Sequence, residues 1–210
     1  MTRSKVRLLL NHLKTWVGPF IYGLLVLEMA RYWISPDPEN TDRLLTLAVM
    51  MGFEFIMVHS GVFMAVMPKK VSLFFLIPAY SLFALAMNSM VPGNSILWLY
   101  FGVVLVRMRF AFSNPKGPEL QAAITTSLCA VLIYFVLLVI FAVGAEAIPR
   151  LGLTDTFLIE SGYRASITTG GLFIDTPHVP MAMGVVYFTL LAFLEVLIFK
   201  HISPPAKQGD

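Results

Sequence analysis

The sequence predicts an all-α, polytopic transmembrane bundle that crosses a membrane about six times, with the N-terminus and the C-terminus on the cytoplasmic side. Its composition is the first observation: 58% of the residues are hydrophobic, 13% are charged, and the mean hydropathy is +0.79, which is outside the range of ordinary soluble domains. The second is a series of apolar segments long enough for a helix to cross the roughly 30 Å hydrocarbon layer. The third is the placement of basic residues in alternate connections. Together they predict one integral membrane domain over residues 1–210.

The first predicted span, near residues 15–34, follows a basic N-terminal segment. An apolar stretch after basic residues is shared by secretory signal peptides and membrane anchors. This stretch is not closed by a small-residue cleavage pattern and continues into Glu28, so we predict a retained span. Arg31 lies three residues later on the same helical face and is the expected partner of Glu28. Apolar residues at helical spacing within residues 3–14 predict that this segment lies along the headgroups.

The remaining apolar segments predict five further spans, near residues 44–67, 71–90, 94–112, 120–144 and 179–200, and one long extracytoplasmic loop over residues 145–178. The uncharged stretch from Val71 to Val106 is too long for one crossing, because a helix rises about 1.5 Å per residue. We place the break at Pro92 and Gly93, which favour a turn. Pro78 lies inside the third span and predicts a kink there.

Basic residues mark the predicted cytoplasmic side. After the basic N-terminal segment, they recur in each later cytoplasmic segment as Lys69 and Lys70, then Arg107, Arg109 and Lys116, and finally Lys200 and Lys207. The first predicted outer connection carries three acidic residues against one arginine, and the second is uncharged. This distribution follows the positive-inside rule. We therefore predict a multi-pass protein of the cell membrane, the plasma or inner membrane of a prokaryote.

Four ionisable side chains at membrane depth are the candidates for an intramembrane polar pathway: Glu54, His59, Glu195 and Arg107. Charge inside a bilayer is costly and commonly serves a function. Glu54 and His59 lie about 140° apart around one helix, so we expect them to face different neighbours. Convergence of His59, Glu195 and Arg107 would suit a proton relay or a solute site. The alternative is a structural polar cluster that fixes the orientation of the helices.

The predicted outer loop offers a second set of candidates, for binding: Tyr163, Arg164, Asp175 and His178. Apolar residues along this loop supply enough surface to pack on the bundle or on a partner. Asp175 and His178 could share a metal with Asp155 or Glu160, but a firm transition-metal site offers more imidazole or thiolate ligands. We predict no metal. We also predict no cofactor, since His59 is the only histidine well inside a span and has no evident axial partner for haem.

The absence of several short catalytic motifs narrows the functional classes that the sequence predicts. The sequence has no Walker A loop, no His-Glu-x-x-His pair and no Gly-x-Ser-x-Gly elbow, and Cys129 is its only cysteine. The basic residues lie beside apolar segments and do not form a continuous patch, so nucleic acid is not an expected partner. These absences favour a protein that is not an enzyme, and no catalytic residue is assigned.

Three functions remain open. The first is a small transporter or permease, with Glu54, His59 and Glu195 in a proton-coupled or solute pathway. The second is a non-catalytic membrane subunit or scaffold that binds another membrane protein through the outer loop. The third is a membrane-embedded, lipid-modifying enzyme in which His59 or Glu195 acts as an acid or base. In each case the lipid bilayer is a partner.

Overall fold

A computed structural model of the protein describes residues 3–98, 100–101 and 117–202, and the regular structure in these residues is helical, as predicted. Within these residues, four helices are long: α1 (Arg3–Ile34), α2 (Thr41–Val66), α4 (Pro118–Val143) and α8 (His178–Ile202). Helix α3 (Ile77–Asn88) is preceded by Lys69–Val71 and a π-helical turn over Ser72–Leu76. Three short helices, α5 (Asp155–Glu160), α6 (Tyr163–Ser166) and α7 (Leu172–Asp175), lie between α4 and α8.

Among the described residues, three helical segments are long and apolar enough to cross a membrane, which is consistent with a membrane protein. They are Pro38–Ser60, Ile124–Val143 and His178–Ile198, and they match the second, fifth and sixth predicted spans. The apolar segment Ser72–Asn88 is shorter. Most of the fourth predicted span lies outside the described residues, so the total of six spans stays a prediction.

Helix α1 contains both the predicted headgroup segment 3–14 and the predicted first span in one continuous helix. One set of its apolar side chains lies on the surface of the protein: Trp16, Phe20, Leu24 and Leu27 are each at least half exposed. An exposed apolar face of this kind is suited to contact with lipid.

A π-helical turn over Ser72–Leu76 directly precedes the helix that contains Pro78, the residue at which a kink was predicted. Proline has no backbone N–H, and its ring would collide with the carbonyl group of Phe74 in a regular helix. The wider π turn moves that carbonyl group away, and the amide of Ile77 donates to the carbonyl oxygen of Ser72. The third predicted span therefore begins in an irregular helix.

The long helices pack in sequence: α1 against α8, α8 against α4, α4 against α2, and α2 against α3. Helix α8 also contacts α2, and Gly184 lies at that junction. A Cβ atom at Gly184 would collide with the sulfur of Met29 and lie 3.1 Å from the sulfur of Met51. Because Gly184 has no side chain, α1, α2 and α8 can approach one another closely.

Residues 145–177, which we call the cap segment, fold over one end of these helices. Leu153, Leu158, Tyr163 and Ile174 of the cap segment are buried, and α6 and α7 both contact α2. The indole N–H of Trp33 donates to the carbonyl oxygen of Pro149 at 2.8 Å, and the amide of Gly152 donates to the carbonyl oxygen of Trp33 at 3.1 Å. The cap segment is thus attached to the end of α1 by hydrogen bonds and to α2 by packing.

Candidate functional site

Glu54 is half-buried among the long helices and accepts a hydrogen bond from a tyrosine on another helix. The hydroxyl of Tyr187 on α8 donates to Oε1 of Glu54 on α2 at 2.9 Å. Glu54 follows Thr41 by thirteen residues and Tyr187 follows His178 by nine, which places them about 20 and 14 Å from the cap ends of their helices. Both side chains therefore lie near the middle of helices that are long enough to span a membrane.

A second tyrosine completes this group. Tyr134 and Tyr187 are both fully buried, and their rings meet edge to face with centroids 5.3 Å apart. The hydroxyl of Tyr134 donates to the carbonyl oxygen of Met51 at 2.6 Å. We call Glu54, Tyr134 and Tyr187 the tyrosine–glutamate cluster. Its members come from α2, α4 and α8, so one polar cluster connects three long helices.

The sequence analysis did not identify the two tyrosines. A buried phenol hydroxyl needs a hydrogen-bond partner, so a tyrosine within an apolar helix is itself a signal that a polar group from elsewhere faces it. Tyr134 and Tyr187 both stand in long apolar segments. That signal could have marked them as partners for intramembrane polar groups, although it could not have told which partner each one takes.

His59 faces α4 and not α8. Its Nδ1 lies 2.8 Å from the carbonyl oxygen of Phe55, and its ring meets the rings of Phe55 and Phe135 edge to face, with centroids 5.6 and 5.8 Å away. Because a carbonyl oxygen only accepts, Nδ1 carries a proton, and in the neutral ring Nε2 is then the acceptor. His59 and Glu54 thus face different helices, as their spacing predicted.

Glu195 lies against α1. A Cβ atom at Gly18 would collide with Oε2 of Glu195, so the carboxylate occupies the space that glycine leaves free. On each helix this contact is eleven residues from the contact between Met29 and Gly184 (18 to 29, and 184 to 195). Eleven residues are about three helical turns, so both contacts lie on one face of each helix in an antiparallel pair. Helices α1 and α8 therefore pack side by side over about 16 Å.

The predicted pathway residues consequently contact three different helices. Glu54 contacts α8, His59 contacts α4, and Glu195 contacts α1. Arg107, the fourth candidate, lies outside the residues that the structure describes. For Glu54 the structure gives a polar partner on a second helix, the hydroxyl of Tyr187.

The predicted partner of Glu28 was wrong. Nε of Arg43, at the start of α2, lies 2.6 Å from Oε1 of Glu28, while the guanidinium of Arg31 lies over the ring of Tyr32, 5.9 Å from its centroid. The short connection between α1 and α2 returns the chain beside the end of α1, so an arginine from the next helix reaches Glu28. This tertiary contact replaces the predicted local pair.

The binding candidates of the cap segment make contacts within it. The hydroxyl of the buried Tyr163 donates to the carbonyl oxygen of Ile174 at 2.9 Å, and burial raises the pKa of Tyr163. Arg164 pairs with Asp155 at 3.1 Å and donates to the carbonyl oxygen of Asp175 at 3.2 Å. These bonds give both side chains a structural function, and ligand binding by them stays a prediction.

Arg150, Asp155 and Asp175 also make contacts within the cap segment. Asp155 binds Arg150 as well as Arg164. The hydrogen bond from Arg150, followed by the influence of Arg164, lowers the pKa of Asp155. Asp175 accepts from the amide of Gly171 at 2.9 Å, and His178 is buried at the start of α8. Within the described part of the chain, no three His, Cys, Asp or Glu side chains are grouped so that they could hold a metal ion.

Comparison with known proteins gives no relative. No protein-family model, no curated protein and no solved structure matches the chain. Its function is therefore argued from the tyrosine–glutamate cluster and the helices that carry it.

Proposed function

We propose that this chain is a small transporter or permease of a prokaryotic cell membrane, with six spans and cytoplasmic termini, in which Glu54 binds the proton or solute that is moved. The hydrogen bond between Tyr187 and Glu54 is the observation that carries this proposal. It places an ionisable group and a proton-exchanging hydroxyl near the middle of two helices that could each span a membrane.

The chemistry of the pair suits reversible protonation. A carboxylate at this depth is destabilised by the loss of water, and binding a proton removes its charge. A tyrosine hydroxyl can donate to the carboxylate or accept from the carboxylic acid. Tyr187 can therefore remain bonded to Glu54 in both protonation states, which is what a site that takes up and releases a proton requires.

The packing of α1 supports a first span. Helix α8 contains one of the three segments that could cross a membrane, and α1 runs along it from Gly18 beside Glu195 to Met29 beside Gly184. A helix packed along a spanning partner shares its environment, and the surface side chains of α1 are apolar. The third and fourth spans of the proposal rest on hydropathy and on the positive-inside rule.

The test is a pH-jump proton-flux assay on the full chain reconstituted in liposomes, with and without candidate solutes. We expect Glu54→Gln to abolish the flux, because glutamine keeps the shape of glutamate but its amide does not ionise and so cannot take up and release a proton. Glu28→Gln is the matched control, since it makes the same chemical change at a glutamate paired with Arg43 near the end of α1. Flux no greater than in empty liposomes, or equal flux in natural and Glu54→Gln protein, would overturn the proposal.

A non-catalytic membrane subunit is the second candidate, and the surface of the cap segment favours it. Ile159 is 67% exposed and Leu151 is 47% exposed, whereas Leu153, Leu158 and Ile174 of the same segment are buried. Such residues suit a contact with a partner protein. Under this hypothesis Ile159→Lys releases a partner that co-purifies with the natural chain, while Glu54→Gln leaves the complex intact.

A further inference from the structure

A second feature of the bundle lies on the other side of α2 from Glu54. A cavity of about 300 Å³ is bounded by α2, α3, α4 and α7, and its lining includes Ala48, Gly52, Met87, Met90, Leu138 and Phe173. Gly52 and Glu54 are two residues apart and therefore point in nearly opposite directions from α2. The cavity is separate from the tyrosine–glutamate cluster.

The lining of the cavity selects an apolar occupant. Its described residues are apolar side chains and two glycines, Gly52 and Gly171. A buried water needs two to four polar partners, and apolar cavities of this kind take up apolar molecules instead. The volume is also at the lower end of the range for small-molecule pockets, which is about 300 to 1,000 Å³.

The position of the cavity identifies the source of that occupant. Ala48 and Gly52 follow Thr41 by seven and eleven residues, which places them about 10 and 17 Å below the cap end of α2. That depth lies within the hydrocarbon of the leaflet on the cap side. Beside Leu138 in the lining, Val139 and Ile140 are 60% and 56% exposed on the apolar surface of α4. The cavity is thus next to a surface that lipid chains would cover.

Hydrogen bonds hold helix α7 in place over the cavity. Helix α7 covers it through Leu172, Phe173 and Ile174, and the hydroxyl of Tyr163 fixes the carbonyl oxygen of Ile174 at 2.9 Å. The carboxylate of Asp175 accepts from the amide of Gly171 at 2.9 Å, which closes the turn at the start of α7. These bonds make the cavity a formed pocket and not a gap beneath a loose loop.

We propose that this cavity holds one acyl chain of a bilayer phospholipid from the leaflet on the cap side. The acyl chain enters beside α4 and passes beneath α7, where it packs against Ala48, Gly52 and Phe173. This proposal uses the membrane placement of α2 and α4 and does not depend on proton or solute transport by Glu54.

The test is photolabelling of the full chain in vesicles of phosphatidylethanolamine and phosphatidylglycerol that contain a small fraction of a phosphatidylcholine with a diazirine in the middle of one acyl chain. Peptide mass spectrometry then locates the labelled residues. We expect severalfold more label on Leu138, Met90 and Phe173 than on Leu132 and Val139, which lie on the exposed surface of α4. Equal labelling of the two groups would overturn the proposal.

A variant that fills the cavity sharpens the test. Ala48→Phe places a ring in the cavity and is expected to abolish the excess label on Leu138, while Val139→Phe, on the exposed surface, is expected to leave it unchanged. Gly52→Val is a smaller change, since a Cβ atom there lies 3.4 Å from the flexible end of Met87. This variant takes the place of Ala48→Phe in the test if Ala48→Phe does not fold. Undiminished label in a folded filling variant would contradict the proposal. Proton flux measured on the same vesicles separates this outcome from failure of the transport proposal.

Discussion

The carboxylates of Glu54 and Asp155 are held in opposite ways. Glu54 lies inside the helix bundle and accepts from the neutral hydroxyl of the fully buried Tyr187. Asp155 lies on the surface of the cap segment and binds the two guanidinium groups of Arg150 and Arg164. In water an ion pair is weak because water also solvates both charges, whereas in an apolar bundle one hydrogen bond matters more because nothing replaces it. The number of charged partners around a carboxylate is therefore a poor guide to its importance.

Glu28 lies between these extremes. Its side chain is 31% exposed and pairs with Arg43, which is 45% exposed, at the ends of α1 and α2. The three carboxylates thus form a series from the centre of the bundle to the surface of the cap segment. Removing the hydrogen bond or ion pair of each carboxylate is therefore expected to affect stability most at Glu54, less at Glu28 and least at Asp155.

The largest effect is expected for Tyr187→Phe, which removes the hydroxyl that donates to Glu54. Loss of one partner from a buried polar pair costs about 1 to 3 kcal/mol, so we expect that loss in the free energy of unfolding in detergent, together with reduced proton flux. In a double-mutant cycle, Tyr187→Phe should have a smaller effect when Glu54→Gln is already present. Additive effects would show that the hydrogen bond does not couple the two residues.

A smaller effect is expected for Tyr134→Phe. This substitution removes a hydrogen bond between two neutral groups, from the hydroxyl of Tyr134 to the carbonyl oxygen of Met51, and it retains the ring that packs against Tyr187. A neutral hydrogen bond contributes about 0.5 to 1.5 kcal/mol, and we expect a loss of that size with proton flux largely retained. The measurements are unfolding in detergent and flux in liposomes. Flux abolished as completely as by Glu54→Gln would show that Tyr134 belongs to the pathway itself.

Breaking the pair of Glu28 and Arg43 should change stability less. Partly exposed ion pairs contribute about 0 to 1 kcal/mol, so Glu28→Gln is expected to lower the free energy of unfolding by no more than that. High salt should reduce the difference between the natural chain and the variant, because ions screen exposed charges. A loss of unfolding free energy as large as that of Tyr187→Phe would contradict the order of stability effects proposed for the three carboxylates.

The sequence was sufficient for properties that depend on one helix at a time. Composition and segment length predicted the helical class and six spans, of which three match helical segments of membrane length. The rotation of 100° per residue predicted that Glu54 and His59 face different neighbours. The partners of Glu54 and Glu28 depend on how helices lie beside one another. A spacing rule offered Arg31 for Glu28, but the short connection after α1 brings Arg43 closer. The pairing of Glu54 with Tyr187 joins residues 133 positions apart, and no periodicity within one helix encodes it.

The smallest effect is expected at Asp155, and its distinguishing feature is a dependence on pH. The two arginines hold the pKa of Asp155 below its ordinary value of 3.8, so the ion pairs favour the folded cap segment above that value. Their contribution is lost as the pH falls through the lowered pKa, when the carboxylate is protonated in the folded protein too. The measurement is the hydrogen exchange rate of peptides from residues 150–166, corrected for the intrinsic exchange rate at each pH. In the natural chain this corrected rate should increase on acidification below about pH 4. In Asp155→Asn the corrected rate should already be higher at neutral pH and should lose this acid dependence. If the variant instead retained the acid dependence, another group would control the opening of the cap segment. The charge network on Asp155 would then be a result of the folded cap segment and not one of its causes.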